Sequence, residues 1–405
     1  MNWKGNVLNL ILNRSVSLFG AGIYSVSLPL YLLQETGSLA KAGIFFAAAS
    51  LPSVLLRPFL GVPVERSNRK RILVLCDFTS SAVFFSLLLL SRMELLTLPV
   101  LAAAGMLLNT ISGLFGVASN VIFTELNEKG SLEQMNGLKS FSDNLAGIAS
   151  PLAGAYLFGA FGFASVLAAV GASYALSAAG ECFIRYRRPD KTPGESAPLR
   201  EQFLGGVRVI TSSREIFSLF FLVMVLNSFV ANSDEIINPG ILVQKYGLPQ
   251  KLYGLSSSSF VAGTLAAGLF LFRRRNACPP RLKALFLLNS AVMMLIGAAS
   301  LLCYNLCPRA YFPIFLTLET VCGFITTCVN VPLISFFQIQ IPVEYQGRFF
   351  ALLSFASGLL IPLGVSWAGF LSDRAGADAA YLINNACVIL AVLFVYRKRK
   401  NGAPV

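Results

Sequence analysis

The sequence predicts an all-α polytopic membrane protein in which twelve transmembrane helices form two pseudo-symmetric six-helix bundles. Three observations support this fold class: an apolar composition, twelve apolar runs that suit membrane helices, and a short motif that recurs in the second half of the chain. Of the 405 residues, 55% are apolar and only 13% are charged, whereas about a quarter of the residues in a soluble domain are charged. The chain is therefore expected to lie in a lipid bilayer.

Most of the apolar runs reach about 20 residues, the length of helix that crosses roughly 30 Å of hydrocarbon. The first run is too long for the core of a signal peptide and contains Arg14 and Pro29, so we expect it to be retained. The twelve predicted spans are Val7–Leu33, Ala42–Leu60, Ile72–Leu90, Leu95–Phe123, Gln134–Phe158, Phe163–Ile184, Glu215–Ile237, Leu252–Phe272, Leu282–Cys303, Tyr311–Phe337, Phe349–Leu371 and Tyr381–Tyr396.

These spans divide the chain into three parts. We predict an N-terminal six-helix bundle over residues 1–184 and a C-terminal six-helix bundle with a basic tail over residues 214–405. Between them, residues 185–213 are polar and carry proline breaks, so they are expected to form a cytoplasmic linker without a core of its own. Within this linker, Gln202–Thr211 has the apolar spacing of a short amphipathic helix.

A motif recurs about 210 residues further along the chain, with one insertion, and indicates that the two halves are related. In each half it lies where the first span ends and the second begins, as expected for halves related by a pseudo-twofold axis along the membrane normal. The matching positions are Pro29, Gln34, Gly37, Lys41 and Gly43 in the first half, and Pro239, Gln244, Gly247, Lys251 and Gly254 in the second.

The distribution of Lys and Arg predicts the orientation of the chain. Cationic clusters occupy the loop before the third span, the linker, the loop before the ninth span and the C-terminal tail, and all of these fall on one side. Because Lys and Arg collect in cytoplasmic loops, both termini are expected in the cytoplasm and the protein in the cell membrane. The net charge of +13 is explained by these loops, and we expect no nucleic-acid partner. The opposite side carries only Lys41, Arg92, Lys245, Lys251, Arg309 and Arg374.

The residue inventory argues against several kinds of chemistry. The eight cysteines contain no CxxC pair and lie mostly in apolar runs, where cysteine behaves as a small hydrophobe. No nucleotide-binding glycine loop or HExxH motif is present, so we expect neither an enzyme nor a resident cofactor or metal. Histidine is absent, so proton transfer at neutral pH must use carboxylates with raised pKa values.

The loop Gly61 to Arg71 places an acid and four cations between two apolar spans. Its pattern, Gly61 followed by Glu65-Arg66 and then Arg69-Lys70, resembles the signature between helices 2 and 3 of the major facilitator superfamily. Glu65 stands where the family usually has Asp, and Asn68 where it usually has Gly. A charged turn that only sets topology would show a similar composition.

This resemblance implies a latch that closes the cytoplasmic side. Glu65 is then expected beside the start of helix 11, near Gly347 and Arg348, because helix N-termini attract anions. Arg69 is expected to bridge Glu65 to Glu125 at the end of the fourth span.

The fifth span holds small residues at spacings that let helix backbones approach closely in lipid, namely Gly137, Ser150, Pro151 and Gly154. The span resembles the helix 5 signature of drug and metabolite antiporters, with Ala146, Ser150 and Ala155 where glycines are usual; small-residue packing alone is the alternative. The segments 14–20 and 341–348 look like the exporter branch that contains macrolide efflux pumps and the enterobactin exporter.

Ionisable residues inside membrane spans are costly and serve as functional candidates. Arg14 and Asp143 are expected at similar depth on neighbouring helices, where they either pair or leave Asp143 to titrate when substrate arrives. Glu319 has no cation within four residues, so a raised pKa would suit it to carry a proton. The full set is Arg14, Arg57, Asp77, Asp143, Asp234, Glu235 and Glu319.

Two further expectations concern this set. Arg57 and Asp77 flank the loop Gly61 to Arg71 at matched sequence distance, so they are expected to neutralise each other, with a gating role as the alternative. Asp234 and Glu235 are expected near the end of the seventh span, at the membrane interface.

Taken with the resemblance, these features predict a secondary transporter. It would export a lipophilic or amphiphilic small molecule by alternating access, driven by proton antiport, as a monomer in the bilayer. A metabolite importer of the same fold is the alternative, and a membrane-embedded enzyme is a remote one.

Overall fold

The computed structural model describes residues 3–60, 63–64, 67–126, 132–186, 207–230, 233–273, 282–341 and 343–397. Over these ranges the chain is almost entirely helical and shows no β-strand. The twelve main helices are α1 Trp3–Thr36, α2 Leu39–Leu56, α3 Arg69–Arg92, α4 Leu98–Leu126, α5 Leu132–Phe161, α6 Phe163–Glu181, α7 Arg214–Phe229, α8 Gln250–Arg273, α9 Leu282–Leu306, α10 Pro308–Gln340, α11 Val343–Ala375 and α12 Ala377–Arg397.

Eleven of these helices, in the part of the chain that the structure describes, are long and apolar enough to cross a membrane. The exception is α7, which has 16 residues and ends at Phe229. The chain continues beyond it as two π-helical stretches, Ser233–Ile237 and Gly240–Lys245. The expectation of one regular helix over Glu215–Ile237 is therefore wrong, because the backbone widens from the α-helical to the π-helical repeat within that span.

Other boundaries shift less. Helix α11 begins at Val343, six residues before the predicted start at Phe349, and α10 extends over 33 residues. In the linker, residues 207–212 are helical, which overlaps the end of the predicted amphipathic segment, and residues 187–206 lie outside the described ranges.

The helices form two compact units that do not follow chain order completely. The first unit comprises Met1–Tyr31, Ala48–Ser196 and Gln250–Gly254, and the second comprises Leu32–Ala47, Ala197–Pro249 and Leu255–Val405. Each half of the sequence thus contributes one short segment to the unit that is built mainly from the other half. The division into an N-terminal bundle over residues 1–184 and a C-terminal bundle over residues 214–405 remains a prediction.

The recurring motif overlaps these two segments, and its glycines have matching conformations. Gly37 and Gly247 adopt φ values of +61° and +63°, in the left-handed region that glycine enters without a Cβ penalty. The Gly37 amide donates to the Leu33 carbonyl at 2.9 Å, and the Gly247 amide donates to the Val243 carbonyl at 3.1 Å. Both glycines therefore terminate a helix in the same way.

The last glycines of the motif also have matching roles. A Cβ on Gly43 of α2 would lie 2.7 Å from the Val365 carbonyl oxygen of α11, within the second unit. A Cβ on Gly254 of α8 would lie 2.1 Å from the Pro151 carbonyl oxygen of α5, within the first unit. In both units the glycine allows two helix backbones to come into direct contact.

Helix α5 uses its small residues in the same manner. A Cβ on Gly154 would lie 2.7 Å from the Ile23 carbonyl oxygen of α1, and a Cβ on Gly22 would lie 2.0 Å from the Ser150 hydroxyl oxygen. Ser150 is only 2% exposed. The structure thus places Ser150, Pro151 and Gly154 at backbone contacts, whereas Gly137 lies in a part of α5 whose packing is outside the described set.

Polar side chains of α1 connect this helix to the end of α6. The Asn6 amide group exchanges two 3.1 Å hydrogen bonds with the Arg185 backbone. Further along, Asn9 donates to the Gly180 carbonyl at 3.2 Å, and the Ser177 hydroxyl donates to the Asn13 carbonyl at 3.0 Å. We call these three contacts the α1–α6 polar rungs.

We expect Gly254→Ala to destabilise the protein by about 1–3 kcal/mol, because the added methyl group overlaps the α5 backbone. Gly268→Ala is the matched control in the same helix, since a Cβ there meets nothing within 4 Å. Melting temperatures of the purified variants in detergent measure the difference. Equal melting of the two variants would contradict the close-contact interpretation.

Candidate functional site

A cavity of about 330 Å³ lies inside the second unit, between α7, α8, α9 and α10. Its walls are mainly apolar and include Phe260, Phe286 and Met293. A small number of polar groups in a largely apolar cavity is typical of sites that bind organic molecules. The polar lining residues are Asn227, Ser233, Asn289, Glu319, Thr326 and Asn330.

Glu319 of α10 is the only ionisable residue among the described residues that line this cavity. It is 2% exposed, and its Oε1 accepts a 3.1 Å hydrogen bond from the Asn238 side-chain amide. The Tyr381 hydroxyl donates to Asn238 Oδ1 and lies 3.4 Å from the same Glu319 oxygen. These two hydrogen-bonding partners were not predicted, because Asn238 and Tyr381 lie far from Glu319 along the chain.

The irregular end of the seventh span positions Asn238. Asn238 is fully buried and lies between the two π-helical stretches, and the Tyr246 amide donates to the Ile241 carbonyl at 3.0 Å with the five-residue repeat of a π-helix. Pro239 has no amide hydrogen to donate, which favours such an irregularity. Single π-helical turns often occur at functional sites. The α-helical periodicity of the sequence gives no sign of this change.

The first unit contains a second intramembrane charge site. Arg14 of α1 forms an ion pair with Asp143 of α5, and both side chains are partly exposed. Lys139, one turn before Asp143, donates to Asn120 at 2.9 Å. The structure thus brings together the two residues that were expected at equal depth. Whether Asp143 titrates during transport stays a prediction.

Arg57 and Asp77 do not form the expected pair. Arg57 is exposed at the end of α2, where a 3₁₀ turn begins. Asp77 is 2% exposed and is the ninth residue of α3, about 12 Å along the helix axis from its start. The expectation is wrong because the connection between the helices is not symmetrical, so matched sequence distance does not give matched depth.

The structure places Arg69 and Glu125 together in the first unit. The guanidinium of Arg69 lies 3.6 Å from the Glu125 carboxylate, and the Tyr186 hydroxyl donates to the same carboxylate. Burial, with the hydrogen bond to Glu125, raises the pKa of Tyr186 to about 12, so the hydroxyl remains a donor at physiological pH. Tyr186 was not predicted from the sequence, although it follows the sixth span directly.

The other residues of the predicted latch are not described by the structure at the level of contacts. Gly61, Glu65 and Arg66 lie outside the described residues, and Gly347 and Arg348 lie within α11, not at its start. The latch as a whole therefore stays a prediction. The same holds for Asp234, whose side chain is outside the described set, while Glu235 is partly buried in the first π-helical stretch.

An acid does cap a helix N-terminus elsewhere, in the second unit. The Asp373 carboxylate near the end of α11 accepts from the backbone amides of Leu39 and Ala40 at 2.8 and 3.2 Å, and from the Ser38 hydroxyl. It thereby occupies the positive end of the α2 dipole. We call this contact the Asp373 cap. This cap was not predicted, because Asp373 follows the predicted span and its partner Leu39 lies 334 residues away.

An ion pair lies near the Asp373 cap. Lys245 donates to the Asp378 carboxylate at 2.6 Å and to the Ser300 hydroxyl at 3.2 Å. These residues join the second π-helical stretch to α9 and α12, so they hold the irregular segment in place.

Comparison with known proteins identifies the family. A sequence profile of the Major Facilitator Superfamily matches residues 10–365. The chain belongs to the Major Facilitator Superfamily. The predicted twelve-helix fold of this superfamily is confirmed by its solved members: a mutant of the nucleoside transporter NupG matches with a TM-score of 0.79 at 12% identity, covering 97% of this chain and 100% of that one.

Relatives within the superfamily confirm the predicted resemblance to its drug-efflux branch. Macrolide efflux protein A of Streptococcus pyogenes is 23% identical over 96% of this chain and 94% of its own length. The multidrug efflux pump Tap of Mycobacterium tuberculosis is 22% identical over 94% and 90%, respectively. The protein is thus a multi-pass membrane transporter of the superfamily.

We expect Asp373→Ala to lower the stability of the protein by about 0.5–2 kcal/mol, the usual effect of removing a helix cap. The matched control is Glu35→Ala, which removes an exposed carboxylate at the neighbouring end of α1. Thermal unfolding followed by tryptophan fluorescence measures both. A loss as large in the control would show that net charge, and not the cap, is responsible.

Proposed function

We propose that the protein exports a lipophilic or amphiphilic organic molecule from the cell by proton antiport. The observation that carries this proposal is the cavity of the second unit, in which one carboxylate, Glu319, is set among apolar and amide groups. The apolar wall suits the body of an amphiphile, and the amides suit its polar groups. The Glu319 carboxylate can bind a proton or a cationic group of the transported molecule.

The direction of transport is proposed from the relatives. Two relatives that align over almost the whole chain are named as efflux proteins, one for macrolides and one for several drugs. At 22–23% identity the side chains that select a substrate can differ, so the proposal specifies a class of molecule and not one compound.

Coupling of transport to protons is proposed from the titratable groups that the chain contains. The sequence has no histidine, so a carboxylate must accept the proton near neutral pH. Glu319 combines deep burial with a hydrogen bond from Asn238. In the proposed cycle, a proton bound at Glu319 neutralises the carboxylate, and its release restores the negative charge. Burial makes the neutral form favourable, whereas the amide donor favours the ionised form.

The transport cycle, the location and the oligomeric state are proposed by analogy with other members of the superfamily. Two six-helix bundles rock about a central site, with the proton gradient as the driving force and without a resident cofactor. The protein is proposed to lie in the cell membrane with both termini in the cytoplasm, and to act as a monomer.

Accumulation of macrolides, siderophores and lipophilic cations in cells with and without the protein tests the proposal. We expect lower accumulation in expressing cells and loss of this difference when a protonophore is added. Higher accumulation would instead identify an importer, and chemical conversion of the compound would identify an enzyme.

We expect Glu319→Gln to fold and bind substrate but to lose proton-driven transport, because the amide resembles the protonated carboxyl group and cannot release a proton. Glu35→Gln is the matched control at an exposed site. Transport as a function of pH in proteoliposomes is the measurement. A pH profile identical to that of the parent would remove Glu319 from the coupling mechanism.

We expect Arg69→Ala and Glu125→Gln to favour the inward-open state, because each breaks the ion pair of the proposed cytoplasmic latch. A change of about 1.4 kcal/mol alters the ratio of two states tenfold. Arg71→Ala, which removes an exposed cation from the same turn, is the control. Labelling of cytoplasmic cysteines in a background free of other cysteines reports the state, and unchanged labelling combined with reduced transport would contradict the latch.

A further inference from the structure

A second cavity, of about 470 Å³, lies within the second unit, apart from the cavity that contains Glu319. Three chain segments enclose it: the turn between α1 and α2, the second π-helical stretch, and the turn between α11 and α12. None of the described residues lines both cavities. The polar side chains on the wall of the second cavity are Gln244, Lys245, Ser372, Asp373 and Asp378.

Two buried polar groups on this wall have hydrogen-bonding capacity that the protein does not use. Asp378 is 6% exposed, and its Oδ2 accepts from Lys245 at 2.6 Å, whereas its Oδ1 has no partner among the described residues. Ser372 is 5% exposed, and its hydroxyl oxygen also has no partner there. Because a buried oxygen without a partner costs free energy, both groups favour a ligand in the cavity that they line.

The Lys245 ammonium group has no donor left for such a ligand. An ammonium group has three N–H donors, and the Lys245 group donates to Asp378 and to the hydroxyl and carbonyl oxygens of Ser300, at 3.2 and 3.4 Å. The guanidinium of Arg374, in the turn after α11, lies over the Phe370 ring at 4.4 Å from its centroid. An anion would therefore find no available cationic donor among the described residues of this wall.

The N-terminus of α2 offers no donor to an anion either. The backbone amides of Leu39 and Ala40 donate to the Asp373 carboxylate. The Lys41 amide donates to the Ser38 hydroxyl at 3.2 Å. Helix N-termini bind anions through amides that lack an acceptor, and the Asp373 cap already supplies one. The unused capacity of the cavity therefore consists of acceptor oxygens, which suit a cation.

The ends of three helical segments add to this preference for a cation. Gly37 and Gly376 follow the C-termini of α1 and α11 directly, and both line the cavity. The second π-helical stretch ends at Lys245, on the same wall. The C-terminal end of a helix carries the negative part of its dipole and attracts cations. In membrane transporters, unwound backbone carbonyls and helix C-terminal ends coordinate Na⁺.

The charge of the cavity favours a singly charged ion. Among the described residues, two carboxylates and one ammonium group line it, which leaves one negative charge in excess. A divalent ion would instead leave an excess of positive charge. Hard cations bind carboxylate, hydroxyl and carbonyl oxygens, and these are the groups that the cavity provides.

We propose that this cavity binds one singly charged inorganic cation, with Na⁺ as the ion to test. Its ligands are Oδ1 of Asp378, the hydroxyl group of Ser372 and carbonyl oxygens at the helix ends. The bound ion connects the three chain segments that enclose the cavity, so it stabilises the second unit. The proposal does not rest on the proposed function, because neither export nor Glu319 enters it.

Equilibrium binding of radioactive sodium to the purified full-length protein in detergent tests the proposal. We expect saturable binding that Ser372→Ala and Asp378→Asn each weaken by about tenfold or more, since loss of even an outer-shell partner typically weakens ion binding about 10- to 100-fold. Ser354→Ala, at an exposed position of α11, is the matched control and should bind as the parent does. Ser372→Ala leaves the Lys245–Asp378 ion pair intact, so it tests the site even where Asp378→Asn fails to fold.

Competition and a second carboxylate variant complete the test. Unlabelled Na⁺ should displace the label at a lower concentration than Ca²⁺, and choline should not displace it. The proposal is overturned if saturable binding is absent, if Ser372→Ala and Asp378→Asn bind like the parent, or if Ca²⁺ displaces the label at the lower concentration. Loss of binding in Glu319→Gln but not in Asp378→Asn would place the ion in the other cavity and also overturn it. Failure of export with sodium binding as expected would refute only the proposed function.

Discussion

Close contact between helix backbones at glycine is the constraint on which the rest of the structure depends. In lipid, apolar side chains gain little by leaving the hydrocarbon, so helices associate through packing and polar contacts. Gly154 of α5 lies against the Ile23 carbonyl of α1, and Gly364 of α11 lies against the Ser228 carbonyl of α7. These are corresponding helix pairs in the two halves. The two halves therefore share, besides the recurring motif, a close backbone contact at glycine between corresponding helices.

Such tight crossings determine where polar groups can be placed. Glu319 finds its donor in Asn238 because the π-helical stretches turn that residue into the protein interior, and Arg14 meets Asp143 where α1 and α5 lie together. In contrast, Asp77 and Glu181 are both buried in the first unit and take part in none of the three ion pairs among the described residues.

Periodic, local information in the sequence was sufficient for much of the fold. Apolar runs predicted the spans, because each helix must satisfy its own backbone in hydrocarbon, and small residues marked the face of α5 that contacts α1. The depth of a residue in the membrane was less predictable. Pairing Arg57 with Asp77 assumed a symmetrical connection between α2 and α3, and the 3₁₀ turn that begins at Arg57 breaks this symmetry. The break after Phe229 and the partners of Asp373 depend on residues far apart in the chain. Glu181 could have been found, because it is an acid within an apolar span. The polar face of α1 could also have been found, because the spacing of Asn6, Asn9, Asn13 and Ser17 places them on one side of that helix.

The α1–α6 polar rungs have a consequence for motion. Each rung joins a side chain to a backbone group at one height along the two helices: Asn6 to Arg185, Asn9 to Gly180 and Ser177 to Asn13. A slide of one helical turn would separate every donor from its acceptor at once, and hydrocarbon offers no water to replace the lost partner. The axial register between the two helices is therefore locked, and they translate together as one rigid rod. Displacements of this rod have to be taken up at its contacts with other helices, such as the glycine contact between α1 and α5.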